Sequence, residues 1–558
     1  MRLDFLNRRF TIAFLASVAS GGLLVLAYPC FDRSETAWVA LIPLTLLVLH
    51  RRPKESFAWA YLSGAAFFIG SLYWLLHVTV VGWIVLSLFL ALYVAVWGAF
   101  VSLLATRFGG TTKMGRNLLL AVLTSCAWVG TEIVRTHLFT GFPWNFLGVT
   151  QYRKLPLIQF ASTTGVYGVS WLVCFVNVCL ALTVIRLKGE FFASRSGRQA
   201  YQPHLEMMAA LGLVFFALVL GFRSVTIQQA REAGATAGLN VALVQPNIPQ
   251  EEKWDDKFQQ MIYHRLERLT EAASRTKPDL IIWPETATPE PLEYDPAAMR
   301  IITGVVARSG AYLLTGSMTV TRNLPRTQSD PSNPERVWYN SAFLINPQGK
   351  LMDPYHKQHL VPFGEFVPLA KIFPFMKYTT PIPGSFGRGK ERTLFPIRPS
   401  TLNSAPRARE DFRSRPSTFG VVICFEDVFP DVFRRFVKDG ANLMVNITND
   451  AWYKESAGAY QHMANSVFRA VENRVPFVRC ANTGYSCFID STGRIRAHIA
   501  GNEKEGIFVQ GFRTEKVTLR NPSEPLTFYA RYGDVFAWSC FGVAVIAWGS
   551  CLRLKRNR

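Results

Sequence analysis

The chain has 558 residues, is 49% hydrophobic and 13% aromatic with only 18% charged residues, and carries a formal net charge of +21. That length admits two to four ordinary domains and calls for no disulfide staples. The apolar content excludes a wholly water-facing protein, and no basic stripe interleaved with stacking aromatics marks a DNA or RNA groove, so no nucleic-acid partner is expected.

Apolar stretches fill roughly the first 225 residues, and one more closes the chain. Runs of about 18 or more apolar residues are candidate membrane spans. Seven are predicted near 10–28, 36–50, 57–77, 80–106, 117–137, 165–186 and 206–222, and an eighth near 533–553. The second is short and holds Pro43. With the N-terminus inside, "MRLDFLNRRF", "HRRPKES", "TRFGGTTKMGRN", "RLKGEFFASRSGRQ" and the tail "RLKRNR" all face the cytoplasm. Each is short and rich in Arg and Lys, as the positive-inside rule requires, and together they account for part of the net charge. Basic residues in the polar region would suit anionic lipid headgroups. The first span follows "RR", but Pro29 before Cys30 in "LAYPC" suits neither a small-residue cleavage site nor lipid attachment. The expected organisation is a seven-span domain over 1–237, an α/β domain over 238–515, and a final span with a basic tail over 516–558. Seven spans from an inside start place 238–515 outside the cytoplasm.

Five of the nine cysteines (Cys126, Cys174, Cys179, Cys540, Cys551) lie in predicted spans, so there is no disulfide framework. Cys480 and Cys487 are a pair open to bonding in an oxidising compartment.

From "LNVALVQPNIP" (239–249) the texture changes to short β-branched runs between polar helical stretches. "DLIIWPE" (279–285) and "AYLLTGSMTV" (311–320) read as strands. "SAFLINPQGKLMDPYHKQHL" (341–360) and "YSCFIDSTGRIRAHI" (485–499) read as hairpins. Helical spacing marks 256–275 and 459–474. The mixture predicts an α/β sandwich with helices covering its sheets. Two stretches rich in Pro, Ser and charge, 322–336 and 398–417, read as inserted surface loops or disorder. "FVPLAKIFPFMKY" (366–378) is apolar with spaced lysines, and reads either as a lid lying on the bilayer or as ordinary loop packing.

Three residues that can do chemistry follow strands: Glu285 after "LIIWP", Lys357 in "YHKQHL" and Cys424 after "GVVI". A thiol needs a base to become a thiolate, and a buried carboxylate is a stronger base than an exposed one. A buried lysine supplies the charge opposing a tetrahedral oxyanion. Together they make a complete acyl-transfer set that needs no metal and no cofactor. Taken singly, an exposed Glu, a solvated Lys and a packed Cys are the usual case.

"WPETA" (283–287), "YHKQHLVPFGEFVP" (355–368), "ICFED" (423–427) and "NDAWY" (449–453) resemble the nitrilase superfamily, which carries a Glu–Lys–Cys triad on an α-β-β-α sandwich. Flanked by the spans, and with "VQPNIPQEEKW" (244–254), "QHMANSVFRAVENRVPFVRCANTG" (461–484) and "TFYARYGDVFAW" (527–538), they resemble its integral membrane branch, the apolipoprotein N-acyltransferases. The resemblance covers nearly the whole chain. It implies Glu285 as general base, Lys357 as oxyanion stabiliser and Cys424 as nucleophile. It also implies Glu365 as a supporting glutamate, and Trp254, Phe425, Glu426 and Trp452 near the site. The implied donor is a phospholipid and the implied acceptor a diacylated apolipoprotein. The implied location is the bacterial inner membrane, multi-pass, with the catalytic domain periplasmic. Two departures stand out: Phe425 replaces the usual Tyr, and Tyr453-Lys454 replaces the usual Phe-Gly. A membrane-tethered carbon–nitrogen hydrolase, a phospholipase and a non-catalytic scaffold of the same fold are the rival expectations.

Overall fold

The computed structural model describes residues 2–108, 114–195, 204–235, 238–322, 336–367, 386–398, 417–502 and 506–556. The predicted loops 322–336 and 398–417 and the apolar stretch 366–378 fall almost entirely outside them. The chain divides into two compact units: Met1–Thr226 with Ser456–Ala464 and Tyr532–Arg558, and Ile227–Glu455 with Asn465–Arg531.

The first unit is helical. Among the described residues, five helices are long and apolar enough to cross a membrane: Arg8–Ala27, Val80–Arg107, Gly115–His137, Val166–Arg195 and Leu205–Ala233. The other three predicted spans differ from that set. Near 36–50 the chain forms a five-residue 3-10 turn, Ser34–Trp38, and a seven-residue helix, Ile42–Val48, with Pro43 in its first turn. Pro43 has no amide hydrogen to continue a helix from Trp38. The helix Pro53–Ser71 carries Lys54 and Glu55 in its first turn, and Val535–Cys551 is shorter. Between the fifth and sixth predicted spans, residues 143–152 are buried, with short helical turns at Leu147–Gln151, Leu155–Ile158 and Ala161–Thr164. Glu132 holds the first of these turns, accepting from the Leu147 amide at 2.8 Å and from Trp128 Nε1 at 2.9 Å. Gln461 gathers several segments. Its Oε1 accepts from Trp74 and Trp144 Nε1 (3.1 and 2.9 Å), and its Nε2 donates to the carbonyls of Pro29 and Ser71 (2.9 Å each). Such bonds close the backbone accounts of a segment too irregular to pair with itself.

The second unit is a sandwich. Its strands are β1 (Gly238–Gln245), β2 (Leu280–Ile282), β3 (Tyr312–Arg322), β4 (Arg336–Ile345), β5 (Tyr355–His356), β6 (Leu394–Pro396), β7 (Thr418–Ile423), β8 (Leu443–Thr448), β9 (Phe477–Ala481), β10 (Cys487–Ile489), β11 (Ile495–His498) and β12 (Gly511–Thr518). Among the described residues they form two sheets, ordered β12-β1-β2-β3-β4-β5 and β11-β10-β9-β8-β7-β6. The parallel pairs β1–β2–β3 and β7–β8–β9 form the sheet centres and are buried on both faces, which is why they read as unbroken apolar runs. The Cys480 thiol of β9 reaches the other sheet, donating to the carbonyls of Val244 and Ile282 (3.4 and 3.2 Å). Cys480 and Cys487 are both free and buried. Helices Gln259–Ser274 and Pro296–Ser309 pack Ile262, Leu266, Ile302 and Val306 on the first sheet beside Ile281, Trp283 and Phe343. On the second sheet, Phe433 of helix Pro430–Asp439 meets Phe477 edge to face at 4.8 Å.

Both predicted hairpins form. Gly349 (φ 75°) closes the turn from Asn346, and Gly493 (φ 86°) closes the turn from Asp490. The edge strand β12, which pairs antiparallel with β1 over its whole length, has no counterpart among the predicted elements.

Candidate active site

Cys424 opens a 3-10 turn directly after β7 and holds a left-handed backbone, φ 51°. A non-glycine residue there is uncommon, and such strain persists only where the surroundings fix it. They do so twice. Asn446 of β8 donates its Nδ2 to the Cys424 carbonyl at 3.0 Å. Arg479 of β9, fully buried, then binds Asp427 at 2.6 Å, Asp450 at 3.1 Å and Asn446 at 3.2 Å.

Glu426 ties this turn to Lys357. Its carboxylate accepts from the amides of Ile423 (2.8 Å), Gln358 (2.6 Å) and His359 (2.9 Å) and from the Tyr355 hydroxyl (2.9 Å). Burial lifts its pKa to about 7 against those lowering backbone bonds. Glu426 is therefore a buried brace, with Tyr355 and Gln358 flanking the lysine it positions.

Lys357 is 1% exposed and lies between two carboxylates, 2.9 Å from Glu365 and 3.6 Å from Glu285. Burial alone would lower its pKa, but Glu365 and Glu285 raise it well above the ordinary lysine range, so the ammonium is held charged. Asn340 of β4 bridges the same two acids, donating Nδ2 to Glu285 at 2.7 Å and Glu365 at 3.0 Å. The second oxygen of Glu365 accepts from the Val361 amide at 2.8 Å. Glu285 follows β2, and the next residue, Thr286, is also left-handed (φ 44°). The backbone there passes so close to β3 that a Cβ on Gly316 would lie 2.6 Å from the Thr286 nitrogen and 2.7 Å from the Glu285 Cα. Only glycine fits that approach.

The Cys424 thiol is pushed up well above the ordinary thiol range, first by burial and then by the Glu285 charge, while Lys357 and a hydrogen bond from Thr448 pull it down. It rests as a thiol and requires a base to react. Lys357 is thus acted on by Glu365, Glu285 and Cys424, and Cys424 by Glu285 and Lys357, so the structure brings these four residues to one place. Phe425 is buried edge to face against Phe429 at 5.2 Å. Trp254 and Trp452 are each 47% exposed. At the second departure, Lys454 adopts φ 50° and ψ −162°, a conformation open to the glycine it replaces.

Sequence reasoning missed Asn340, Arg479 and Lys253. Lys253 is 4% exposed and donates its Nζ to the Glu285 carbonyl at 2.9 Å. In "EEKWDDK" it reads as one more solvated charge.

Residues 20–179 match the family described as "Apolipoprotein N-acyltransferase N-terminal domain", and residues 240–518 match "Carbon-nitrogen hydrolase". The apolipoprotein N-acyltransferase of Geobacter metallireducens is 39% identical over 96% of this chain and 94% of its own length. The chain belongs to the apolipoprotein N-acyltransferase family. Further apolipoprotein N-acyltransferases are 32% identical over 87% of each chain (Brucella suis) and 30% identical over 97% of this chain and 96% of its own (Chlorobaculum tepidum). This N-acyltransferase family member therefore joins a nitrilase-like fold in its C-terminal part to five apolar helices in its N-terminal part.

Proposed function

We propose that the chain moves a fatty acyl group from a membrane phospholipid, through a thioester on Cys424, to the α-amino group of a diacylglyceryl-cysteine apolipoprotein. The observation that carries this reading is the buried Lys357 held between Glu285 and Glu365 beside the Cys424 thiol, in a chain of this family.

In the first half, Glu285 takes the Cys424 proton as sulfur attacks the ester carbonyl, and the oxyanion forms against Lys357. The C–O bond breaks and Glu285 returns the proton to the departing glycerol oxygen, releasing a lysophospholipid. In the second half, the amine attacks the thioester carbon. The C–N bond forms, the C–S bond breaks, and Glu285 carries the amine's proton to the sulfur. Glu365 and Asn340 hold the lysine and the base, and Glu426 and Phe425 shape the nucleophile's turn. The half-exposed Trp254 and Trp452 border the approach of the acyl chains.

Both substrates are lipids. A soluble catalyst would have to draw acyl chains into water at about 0.8 kcal/mol per methylene. The reading therefore includes a multi-pass domain over 1–237, a periplasmic catalytic domain over 238–515, a last span within 516–558, and eight spans in the bacterial inner membrane. The basic alternate loops support that threading.

The match of 240–518 to carbon–nitrogen hydrolases favours one second reading, hydrolysis of an amide or nitrile by the same triad. Intact mass of the purified protein after incubation with phospholipid separates them. One added acyl mass on Cys424, discharged by a diacylated lipopeptide and only slowly by water, is expected. Discharge by water at the lipopeptide's rate favours the hydrolase, and the lack of any adduct overturns the transferase.

A further inference from the structure

Glu285 is held at both ends. Its carboxylate accepts from Asn340 at 2.7 Å, and its backbone carbonyl accepts from the Lys253 Nζ at 2.9 Å. The second bond lies where the chain leaves β2. Before it, the Pro284 carbonyl accepts from the Gly316 amide at 3.1 Å; after it, the Ala287 amide donates to the Gly316 carbonyl at 2.8 Å. Both of those bonds run to β3, and the Glu285 carbonyl between them is left to a side chain. A buried carbonyl needs such a partner.

That carbonyl shares a peptide plane with the Thr286 amide, so its direction sets ψ of Glu285 and φ of Thr286 together. Thr286 is β-branched and left-handed, φ 44°, a conformation it would leave if nothing held it. Leaving it shifts the backbone under Glu285, and a misplacement of about 1 Å can cost a reacting group about 100-fold.

Lys253 is itself well anchored. Asn482, just after β9, accepts from the Asn247 amide at 2.7 Å and the Ile248 amide at 3.2 Å, and its Nδ2 donates to the Ile248 carbonyl at 2.8 Å. The Lys253 amide then donates to the Pro249 carbonyl at 3.2 Å. The side chain is 4% exposed. Burial lowers its pKa to about 8, so at pH 7 it remains an ammonium, and a charged donor makes the stronger hydrogen bond.

We propose that Lys253 is a positioning residue, whose bond to the Glu285 carbonyl holds the Glu285–Thr286 peptide in its left-handed turn and so keeps the carboxylate aimed at the Cys424 thiol. This rests on the acyl-transfer reading above, in which Glu285 moves a proton in both half-reactions. An ammonium buried on a single acceptor among the described residues costs stability, so the lysine works against the fold while it serves the base.

The test compares the full-length parent with Lys253→Met and with a double variant, Lys253→Met with Thr286→Gly. Phospholipid-dependent acylation of Cys424 is followed by intact mass, and discharge of the isolated acyl-enzyme by a diacylated lipopeptide is followed by gel shift. A hydrogen bond from a charged group corresponds to about 10- to 150-fold. Lys253→Met should fold and should slow both half-reactions by that factor, with the half-saturating phospholipid and lipopeptide concentrations unchanged. Glycine enters the left-handed turn without strain. Adding Thr286→Gly should therefore recover at least about fivefold of the lost rate in both half-reactions. Such recovery marks a geometric role, because glycine cannot replace a charge acting directly on the thiol or on a lipid. Parent-like rates in Lys253→Met, a loss confined to one half-reaction or to half-saturation, no recovery with glycine, or a Lys253→Met protein that does not fold would each overturn the inference. An acyl adduct on the parent leaves the acyl-transfer reading standing in every one of these cases; no adduct on the parent removes both.

Discussion

Asn340 Nδ2 donates to Glu285 Oε1 at 2.7 Å, and that side-chain hydrogen bond orients the carboxylate proposed as the base. The same nitrogen reaches Glu365 at 3.0 Å, so one amide spaces two acids that share a lysine. Hydrogen bonds to charged groups contribute about 1.5–3 kcal/mol. Asn340→Leu should therefore slow Cys424 acylation by about 10- to 150-fold, with little change in the phospholipid concentration at half-maximal rate. A loss confined to that half-saturation would mean that Asn340 contacts the lipid instead.

Glu285→Gln and Cys424→Ala separate the proposed base from the proposed nucleophile. Cys424→Ala should form no adduct and transfer no acyl chain, and any transfer would exclude a thioester route. Glu285→Gln keeps the shape and loses the proton acceptor. Burial holds the thiol above its ordinary pKa of about 8.5, so unaided ionisation comes only in strong alkali. Adduct formation in Glu285→Gln should be very slow at pH 7 and climb about tenfold per pH unit through pH 9 without a plateau. Full activity at neutral pH would pass the proton to another carboxylate, Glu365 or Glu426.

Much of the second unit is legible because its central strands are apolar runs bounded by turn residues. Glu285 and Cys424 stand just where such runs end, and Lys357 follows the short edge strand Tyr355–His356. What holds them there is not legible. Lys253, Asn340 and Arg479 are polar residues of ordinary appearance, and only the fold shows that they are buried. β12, "GFRTEKVT", carries Arg513, Glu515 and Lys516 and is half-buried at a sheet edge, so it lacks the apolar signature that marks β7 or β8. In the first unit the long apolar helices read plainly. The segment 138–165 did not, because side-chain hydrogen bonds to Glu132 and Gln461 secure it, not a hydrophobic period.

Lys454 sits where glycine is at ease, at φ 50° and ψ −162°. Such a conformation costs a side-chain-bearing residue about 1–3 kcal/mol, and glycine gives back about 0.5–1 kcal/mol through its freedom in the unfolded chain. Lys454→Gly should raise the midpoint of thermal unfolding. The exposed pair of Lys454 with Glu251, at 3.9 Å, is too weak to reverse the sign. A lowered midpoint would mean that this ion pair or another Lys454 contact matters more than the strain.

Arg- and Lys-rich alternate loops set the expected threading. A reporter fused after residue 237 should be active outside the cytoplasm, and one at the C-terminus should be active inside. Activity of the first reporter inside would place the thiol on the wrong side for a periplasmic acceptor.

Lys253 also leaves a mark on stability. Its folded pKa is about 8, against about 10.4 for an unfolded lysine. Below pH 8 both states carry the proton and the burial penalty is felt in full. Between the two values the unfolded chain binds more protons than the folded one, so stability rises with pH; above about 10.4 both are neutral and the gain is complete. Lys357 has the opposite sign, because its raised pKa keeps its contribution whole until pH passes the unfolded value. It therefore adds no slope within the window. Denaturant midpoints of parent and Lys253→Met, measured in detergent from pH 7 to 10, should converge as the pH rises, with the variant the more stable at pH 7. Parallel curves would show that Lys253 has an ordinary pKa.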